Sequence, residues 1–235
     1  MVIPDRNDRP QPPPAPPRAA ENVLIVRGGW PGHEPVATTS MFLGLFASHG
    51  LTVQISETLD VYEDRAALDA ADLIVQCWTG GRLTPAQEEG LVSRVGRGAG
   101  FAGWHGGIVA TAYEARRYQF MVGGRFLVHP GSFVDYRVEI AAEHPITAGL
   151  DSFDVHTEQY FCHVDPGLPV LATTTFAGLH GAPETAGVVM PVVWTRRFGA
   201  GRVFVNTLGH SPDDLRLPPT RTLTERGLLW AAGLL

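Results

Sequence analysis

Three predicted strands of this 235-residue chain end in a histidine flanked by glycine. The stretch RGGWPGHE contains His33, the stretch GWHGG contains His105, and the stretch LGHS contains His210. Histidine titrates near neutral pH, so it can transfer a proton, form hydrogen bonds or bind a metal ion. Glycine beside it lets the backbone approach a ligand closely. The pattern predicts a shared site and leaves these chemistries open.

Two further polar segments add candidate site residues. The segment HTEQY contains Glu158 and Tyr160, and the segment GGRFLVHP ends with His129 followed by proline. A glutamate near histidines can orient an imidazole or act as a general acid or base. The alternatives are an ordinary exposed strand for HTEQY and a simple connecting turn for GGRFLVHP.

Two tryptophans accompany the histidines at the predicted strand ends. Trp30 precedes His33, and Trp104 precedes His105. The faces of aromatic rings suit the axial C–H groups of a sugar, and they suit packing in a protein core equally well. The sequence therefore makes both tryptophans candidates for sugar binding without excluding a packing role.

The stretch GAGFAGWHGG predicts a short strand that runs into a sharp, glycine-rich turn. In many α/β hydrolytic enzymes such a turn presents a serine or cysteine nucleophile, but this one carries Trp104 and His105. The two cysteines, Cys77 and Cys162, lie elsewhere and form no CxxC pair, which argues against a disulfide framework or a zinc–thiolate site. Cys77 lies in the apolar run LIVQCW and is predicted to be buried.

Metal and cofactor signals are weak. The chain has no HxxxH or HExxH pair on a predicted helix. No cofactor is evident from the sequence, and a divalent metal ion held by the histidines remains an open alternative.

The apolar runs between these turns predict the elements that position the histidines. Segments with helical spacing, such as residues 35–50, separate them, and TPAQ at residues 84–87 predicts a capped helix start. The alternation of strand and helix predicts an α/β fold with a doubly wound, mostly parallel sheet. Because parallel strands end at the same edge, His33, His105 and His210 are expected to be neighbours there. The predicted strands are NVLIVRGG (22–29), LTVQISET (51–58), LIVQCW (73–78) and GAGFAGWH (98–105).

The second half of the chain is richer in predicted strands. The segment MPVVWTRRF-GAG-RVFVNTLG predicts a β-hairpin closed at residues 199–201, and residues 218–235 predict a terminal helix. We therefore expect β-hairpins added to the parallel sheet. Residues 1–20 are rich in proline and are predicted to be a tail outside the core, whereas residues 21–235 form one domain.

Charge and hydropathy limit the classes of partner. The net charge is −6, from 18 Lys+Arg against 24 Asp+Glu, and no basic stripe is present, so we expect no nucleic-acid partner. No apolar run approaches the ~20 residues that span a membrane. The first residues contain no apolar signal-peptide core, which favours a cytoplasmic protein.

Several of these motifs, taken in order, resemble the trehalose-utilisation (ThuA-like) family, a divergent branch of the class I glutamine amidotransferase-like fold, which is flavodoxin-like. The resemblance spans roughly residues 22 to 233. The motifs that carry it are GGxxGHE, FAGWHGG, MVGGRFLVHPG, HPITAGLDSFDVHTEQY, PVVWTRRFGAGRVFVNTLGHS and RGLLWAAG.

The resemblance also shows where this chain departs from amidotransferases. In those enzymes the turn after the corresponding strand carries a cysteine nucleophile, and a histidine follows a later strand. His210 resembles that histidine, but Trp104 or His105 takes the place of the nucleophile. Acyl transfer through a thiolate therefore lacks its reactive group, and we expect no glutamine amidotransferase activity.

The resemblance implies carbohydrate metabolism, with a disaccharide or keto-sugar of the trehalose-utilisation type as the small-molecule partner. A hydrolase, a lyase and an isomerase all remain open, and so does assembly into a homo-oligomer. The alternative is a non-catalytic sugar-binding or regulatory protein on a degenerate amidotransferase scaffold. The expected acid–base residues are His105, His210 and Glu158, and the expected substrate-binding residues are Trp30, His33, Trp104, His129 and Tyr160.

Overall fold

The apolar runs of the first half form neighbouring parallel strands in a computed structural model that describes residues 20–235. The predicted proline-rich tail, apart from Ala20, lies outside the described residues. The strands are β1 (Asn22–Gly29), β2 (Thr52–Ser56), β3 (Leu73–Thr79), β4 (Gly100–Trp104), β5 (Gly124–Val128), β6 (Phe133–Ile140), β7 (Phe153–Glu158), β8 (Phe161–Val164), β9 (Val170–Thr175), β10 (Val189–Phe198) and β11 (Gly201–Asn206).

Eight α-helices of the described residues connect or cover these strands. They are α1 (Pro35–Ser40), α2 (Leu43–Ser48), α3 (Arg65–Ala70), α4 (Pro85–Gly96), α5 (Gly106–Val109), α6 (Arg116–Val122), α7 (Pro212–Arg216) and α8 (Pro218–Ala231). None of them combines the length and the apolar character that crossing a bilayer requires.

The central sheet has nine strands in the order β2-β1-β3-β4-β11-β10-β9-β6-β7. The five strands from β2 to β11 are parallel. Each later pairing is antiparallel, so β10 and β6 run in the opposite direction whereas β9 and β7 regain that of the parallel strands. The predicted α/β fold with a mostly parallel sheet and added hairpins is confirmed, and β5 and β8 form a separate antiparallel pair.

Helices bury both faces of the sheet, which explains why its central strands are continuous apolar runs. On one face, Phe42, Phe46 and Leu228 pack over the sheet in one hydrophobic cluster. On the other face, Leu91 and Met121 belong to a second cluster. This double cover leaves the edges of the sheet as the places where polar side chains can gather.

The structure revises one local prediction about the helices and confirms another. Residues 35–50, predicted as one helical segment, form α1 and α2, which are separated at Met41 and Phe42. The hydroxyls of Thr38, Thr39 and Ser40 donate hydrogen bonds back to carbonyls one turn earlier, an interaction that bends helices. The helix start at residues 84–87 is confirmed as a capping box that begins α4.

The β6–β7 ribbon, residues 133–158, extends beyond the main sheet. β6 pairs with β9 only through Glu139 and Ile140, at its carboxyl end. Residues from Phe133 to Val138 pair with β7 instead. Because β7 runs in the same direction as β4 and β11, its carboxyl end lies on the side of the sheet where those strands end, and it carries Glu158 there.

Candidate functional site

His105 occupies the sharp turn between β4 and α5. Its φ of 49° and ψ of −146° are unusual for a residue with a side chain, and its backbone N–H donates a hydrogen bond of 2.7 Å to the carbonyl of Asn206. A strand-to-helix turn of this kind exposes the nucleophile in α/β hydrolases. Of the two residues expected at that position, the structure places His105 on the turn. Trp104 lies in the core, where it is 1% exposed and packs 5.1 Å from Phe42.

The hydrogen bonds of His105 fix its tautomer. The carbonyl of Thr207 lies 2.8 Å from Nδ1, and because a carbonyl only accepts, Nδ1 carries the hydrogen. Nε2 then faces Oε2 of Glu158 at 3.0 Å and the hydroxyl of Tyr160 at 2.8 Å. The ring also stacks on Tyr160 at 4.2 Å. Burial lowers the pKa of His105, although its contact with Glu158 opposes that shift.

His33 and His210 complete a group of three adjacent imidazoles. The ring centre of His33 lies 4.6 Å from that of His105 and 5.0 Å from that of His210. Nδ1 of His33 contacts the hydroxyl of Thr79 at 2.7 Å. Burial, together with the neighbouring His105 and His210, lowers the pKa of His33 to about 3. The structure thus brings together the three histidines that follow separate strands.

Glycine at position 106 makes this packing feasible. A Cβ atom built there would lie only 2.4 Å from Cε1 of His33, which is closer than real Cβ contacts. The glycine after His105 therefore leaves room for the ring of a second histidine, His33.

Glu158 lies at the centre of the group. Its Oε2 is 3.3 Å from Nδ1 of His210, and its Oε1 is 3.7 Å from Nε2 of His129. Burial raises the pKa of the Glu158 carboxyl, but the adjacent imidazoles of His105 and His210 outweigh burial and lower it overall. The close contact with Glu158 in turn raises the pKa of His210. We call His33, His105, Glu158 and His210 the histidine–glutamate cluster.

Two exposed aromatic rings border this cluster. Trp30 is 54% exposed and lies 4.7 Å from His33, edge to face. Phe133 is 47% exposed and lies 4.8 Å from His210 in a similar arrangement. Exposed aromatic rings next to buried polar groups are typical of a binding site for a ligand with both apolar and polar faces.

The sequence reasoning missed Phe133 and Thr207. Phe133 follows the turn after His129, and only its exposed position on β6 reveals it. Thr207 contributes its backbone carbonyl, so no residue type could have indicated it. The predicted residues His129 and Tyr160 border the cluster, and their roles, like those of the other site residues, remain predictions.

Comparisons with known proteins place the chain in a family. A family model described as trehalose utilisation (ThuA) matches residues 22–231. The chain belongs to this family. A search of curated proteins finds no match.

Solved structures share the ThuA fold at low sequence identity. A putative ThuA-like protein from Parabacteroides merdae superposes with a TM-score of 0.72 at 16% identity, covering 92% of this chain and 90% of that one. A putative ThuA-like protein from Bacteroides uniformis gives 0.68 at 20% identity, covering 95% and 93%. A cytoplasmic protein from Salmonella typhimurium LT2 gives 0.61 at 16% identity, covering 91% and 98%.

Proposed function

We propose that the chain is an enzyme that acts on a disaccharide or keto-sugar through proton transfer at the histidine–glutamate cluster. The observation that carries the proposal is a carboxylate, Glu158, that is 7% exposed and has imidazole nitrogens of three histidines within 3.7 Å. The family supports the substrate class, because its description is trehalose utilisation. The exposed rings of Trp30 and Phe133 offer faces on which a sugar can stack.

The chemistry that suits this cluster is removal of a proton from carbon next to a carbonyl. A base of the cluster takes the proton, and the electron pair of the C–H bond becomes an enolate. Return of a proton to another carbon gives isomerisation. Loss of the glycosidic oxygen, which then receives a proton, gives elimination. His210 borders the exposed Phe133 and is suited to exchange the proton, whereas His105 and Glu158 balance the charge.

Thiol chemistry is not part of the proposal. Cys77 and Cys162 are both buried, and burial raises the pKa of each thiol to about 12. A thiolate is the nucleophilic form, so neither cysteine supplies one near neutral pH. This supports an activity other than that of glutamine amidotransferases.

The cellular setting is also proposed. We propose a cytoplasmic location and a small-molecule sugar as the partner. A non-catalytic sugar-binding role is the second candidate, because the exposed aromatic rings of Trp30 and Phe133 serve binding as well as catalysis.

The test is solvent proton exchange. 3-Keto-disaccharides are incubated with the protein in D2O and followed by NMR, which detects deuterium at carbon next to the carbonyl as well as product formation; trehalose, which has no carbonyl, is the negative control. We expect exchange with the wild type and at least a tenfold loss, about 1.4 kcal/mol, in His210→Ala and His105→Ala. The matched control is His49→Ala, which removes an exposed histidine whose hydrogen bonds are with Leu45 and Ser48.

Two results would overturn the proposal. One is full activity in the folded His105→Ala and His210→Ala variants. The other is tight binding of these sugars with neither exchange nor turnover, which establishes the sugar-binding role instead.

A further inference from the structure

We propose that the histidine–glutamate cluster is a binding site for a divalent first-row transition-metal ion. His33, His105, Glu158 and His210 each offer one ligand atom, and these atoms all lie within 4.8 Å of one another. With metal–ligand bonds of about 2.0–2.1 Å, neighbouring ligand atoms are about 2.8–3.4 Å apart and opposite ones about 4.0–4.2 Å. The contacts of 3.0 Å and 3.3 Å from Oε2 of Glu158 to His105 and His210 fall in the first range.

The tautomer of His105 gives a second argument. Because the carbonyl of Thr207 takes the hydrogen on Nδ1, Nε2 of the neutral ring has only a lone pair. That lone pair faces a carboxylate oxygen of Glu158 at 3.0 Å, and the one hydroxyl hydrogen of Tyr160, whose oxygen lies 2.8 Å from Nε2, can satisfy only one of these two acceptors. A proton would make a buried imidazolium. A metal ion satisfies both acceptors, and a backbone carbonyl on the other ring nitrogen is typical of metal-binding histidines.

His210 and His33 supply the third argument. Nδ1 of His210 is buried and has no hydrogen bond among the described residues, although it lies near Glu158. Buried polar atoms without a hydrogen bond are uncommon and call for an explanation. Nδ1 of His33 is engaged by the hydroxyl of Thr79, which leaves Nε2 available as a ligand.

The donor set indicates the class of ion. Imidazole nitrogens suit zinc, iron, nickel and copper, a carboxylate oxygen also suits manganese, and the cluster contains no thiolate. The inference deepens the proposed function and rests on it for the substrate. An ion at the cluster would polarise the carbonyl oxygen of a keto-sugar and acidify the neighbouring C–H group. Because His210 is then a ligand, the proton exchange assigned to it above passes to His129, which borders Oε1 of Glu158 without belonging to the four ligands.

The experiment measures metal binding directly. Protein without an affinity tag is stripped with a chelator, dialysed and titrated with Zn²⁺, Mn²⁺ and Co²⁺ by calorimetry, and Co²⁺ binding is also followed by visible absorption. We expect about one ion per chain in the wild type. We expect at least tenfold weaker binding in His33→Ala and Glu158→Gln, and wild-type binding in His49→Ala. Circular dichroism establishes that each variant is folded.

The outcomes separate this inference from the proposed function. Absence of binding by the wild type, or equal affinity in folded Glu158→Gln, overturns the metal site. If proton exchange proceeds undiminished in chelator-stripped protein, the metal ion has no role in the reaction, and the proposed function still stands. Stoichiometric metal binding without exchange on any keto-disaccharide supports the site and refutes the proposed function.

Discussion

Phe133 and Glu158 are directly opposite each other on the β6–β7 ribbon. Residues paired in this way are cross-strand neighbours on the same face. One pair of strands therefore delivers both the buried carboxylate of the cluster and an exposed aromatic ring beside His210. Ring and carboxylate must move together whenever the ribbon moves.

Removing the exposed aromatic rings should weaken sugar binding more than it slows chemistry. In Trp30→Ala and Phe133→Ala we expect KM to rise several-fold while kcat changes little, because stacking contributes about equally to ground state and transition state. Steady-state kinetics on the substrate identified by proton exchange provide the measurement. Phe120→Ala is the control, since this exposed ring contacts Arg196 and Phe198 instead. A fall in kcat at constant KM would contradict the assignment.

A methyl group at position 106 should displace His33. Gly106→Ala places a Cβ 2.4 Å from Cε1 of that ring. We therefore expect metal affinity to fall at least tenfold, as in His33→Ala, with the fold retained. Calorimetry with Zn²⁺ measures the effect. The control is Gly44→Ala, because a Cβ at Gly44 meets nothing within 4 Å. Unchanged affinity in folded Gly106→Ala would show that His33 is not a ligand.

The hydroxyl of Thr157 should hold the β6–β7 ribbon in position. It donates a hydrogen bond of 2.8 Å to Oδ2 of Asp214 in α7, a helix that begins two residues after His210. In Thr157→Val we expect a loss of about 1–3 kcal/mol in the free energy of unfolding, since a buried acceptor loses its partner. We also expect kcat to fall.

Thr157→Ser tests whether the hydrogen bond of residue 157 is what positions Glu158 for catalysis. It keeps the hydroxyl and should restore kcat. If Thr157→Val loses stability but keeps the wild-type kcat, the hydrogen bond does not position Glu158.

The two thiols should be unreactive in the folded protein. Because burial raises the pKa of Cys77 and Cys162 to about 12, folding favours their neutral forms. This contribution to stability is complete below the unfolded pKa of about 8.5 and is lost as the pH rises towards the folded value. A thiol-reactive chromophore at pH 8 should label neither cysteine until denaturant is added.

The double variant Cys77→Ala, Cys162→Ala extends this test to activity. We expect it to keep its turnover on keto-disaccharides, with some loss of stability from the smaller side chains. Abolished turnover in a folded double variant would restore the hypothesis of a cysteine enzyme.

The parallel strands and the proximity of the three histidines could be predicted from the sequence. Strands that run in the same direction all end at the same edge of the sheet, so residues that follow them are neighbours. Glu158 joins them for a reason that no local pattern reveals. Four successive antiparallel pairings, from β11 through β10, β9 and β6, return β7 to the original direction. The choice between Trp104 and His105 depended on a single backbone conformation, the φ of 49° at His105. Local residue types indicate such a conformation only at glycine.

The cluster also joins distant parts of the chain into one thermodynamic unit. His105 is 53 residues from Glu158 and 102 residues from the carbonyl of Thr207 that orients it. The unfolded chain cannot assemble such a site, so any ligand of the cluster binds the native state alone. Its free energy of binding then adds to the stability of the whole domain, by about 2.7 kcal/mol at a hundred times the Kd. Thermal unfolding midpoints measured with and without candidate ions or sugars therefore provide a screen for the natural ligand that requires no assay of turnover.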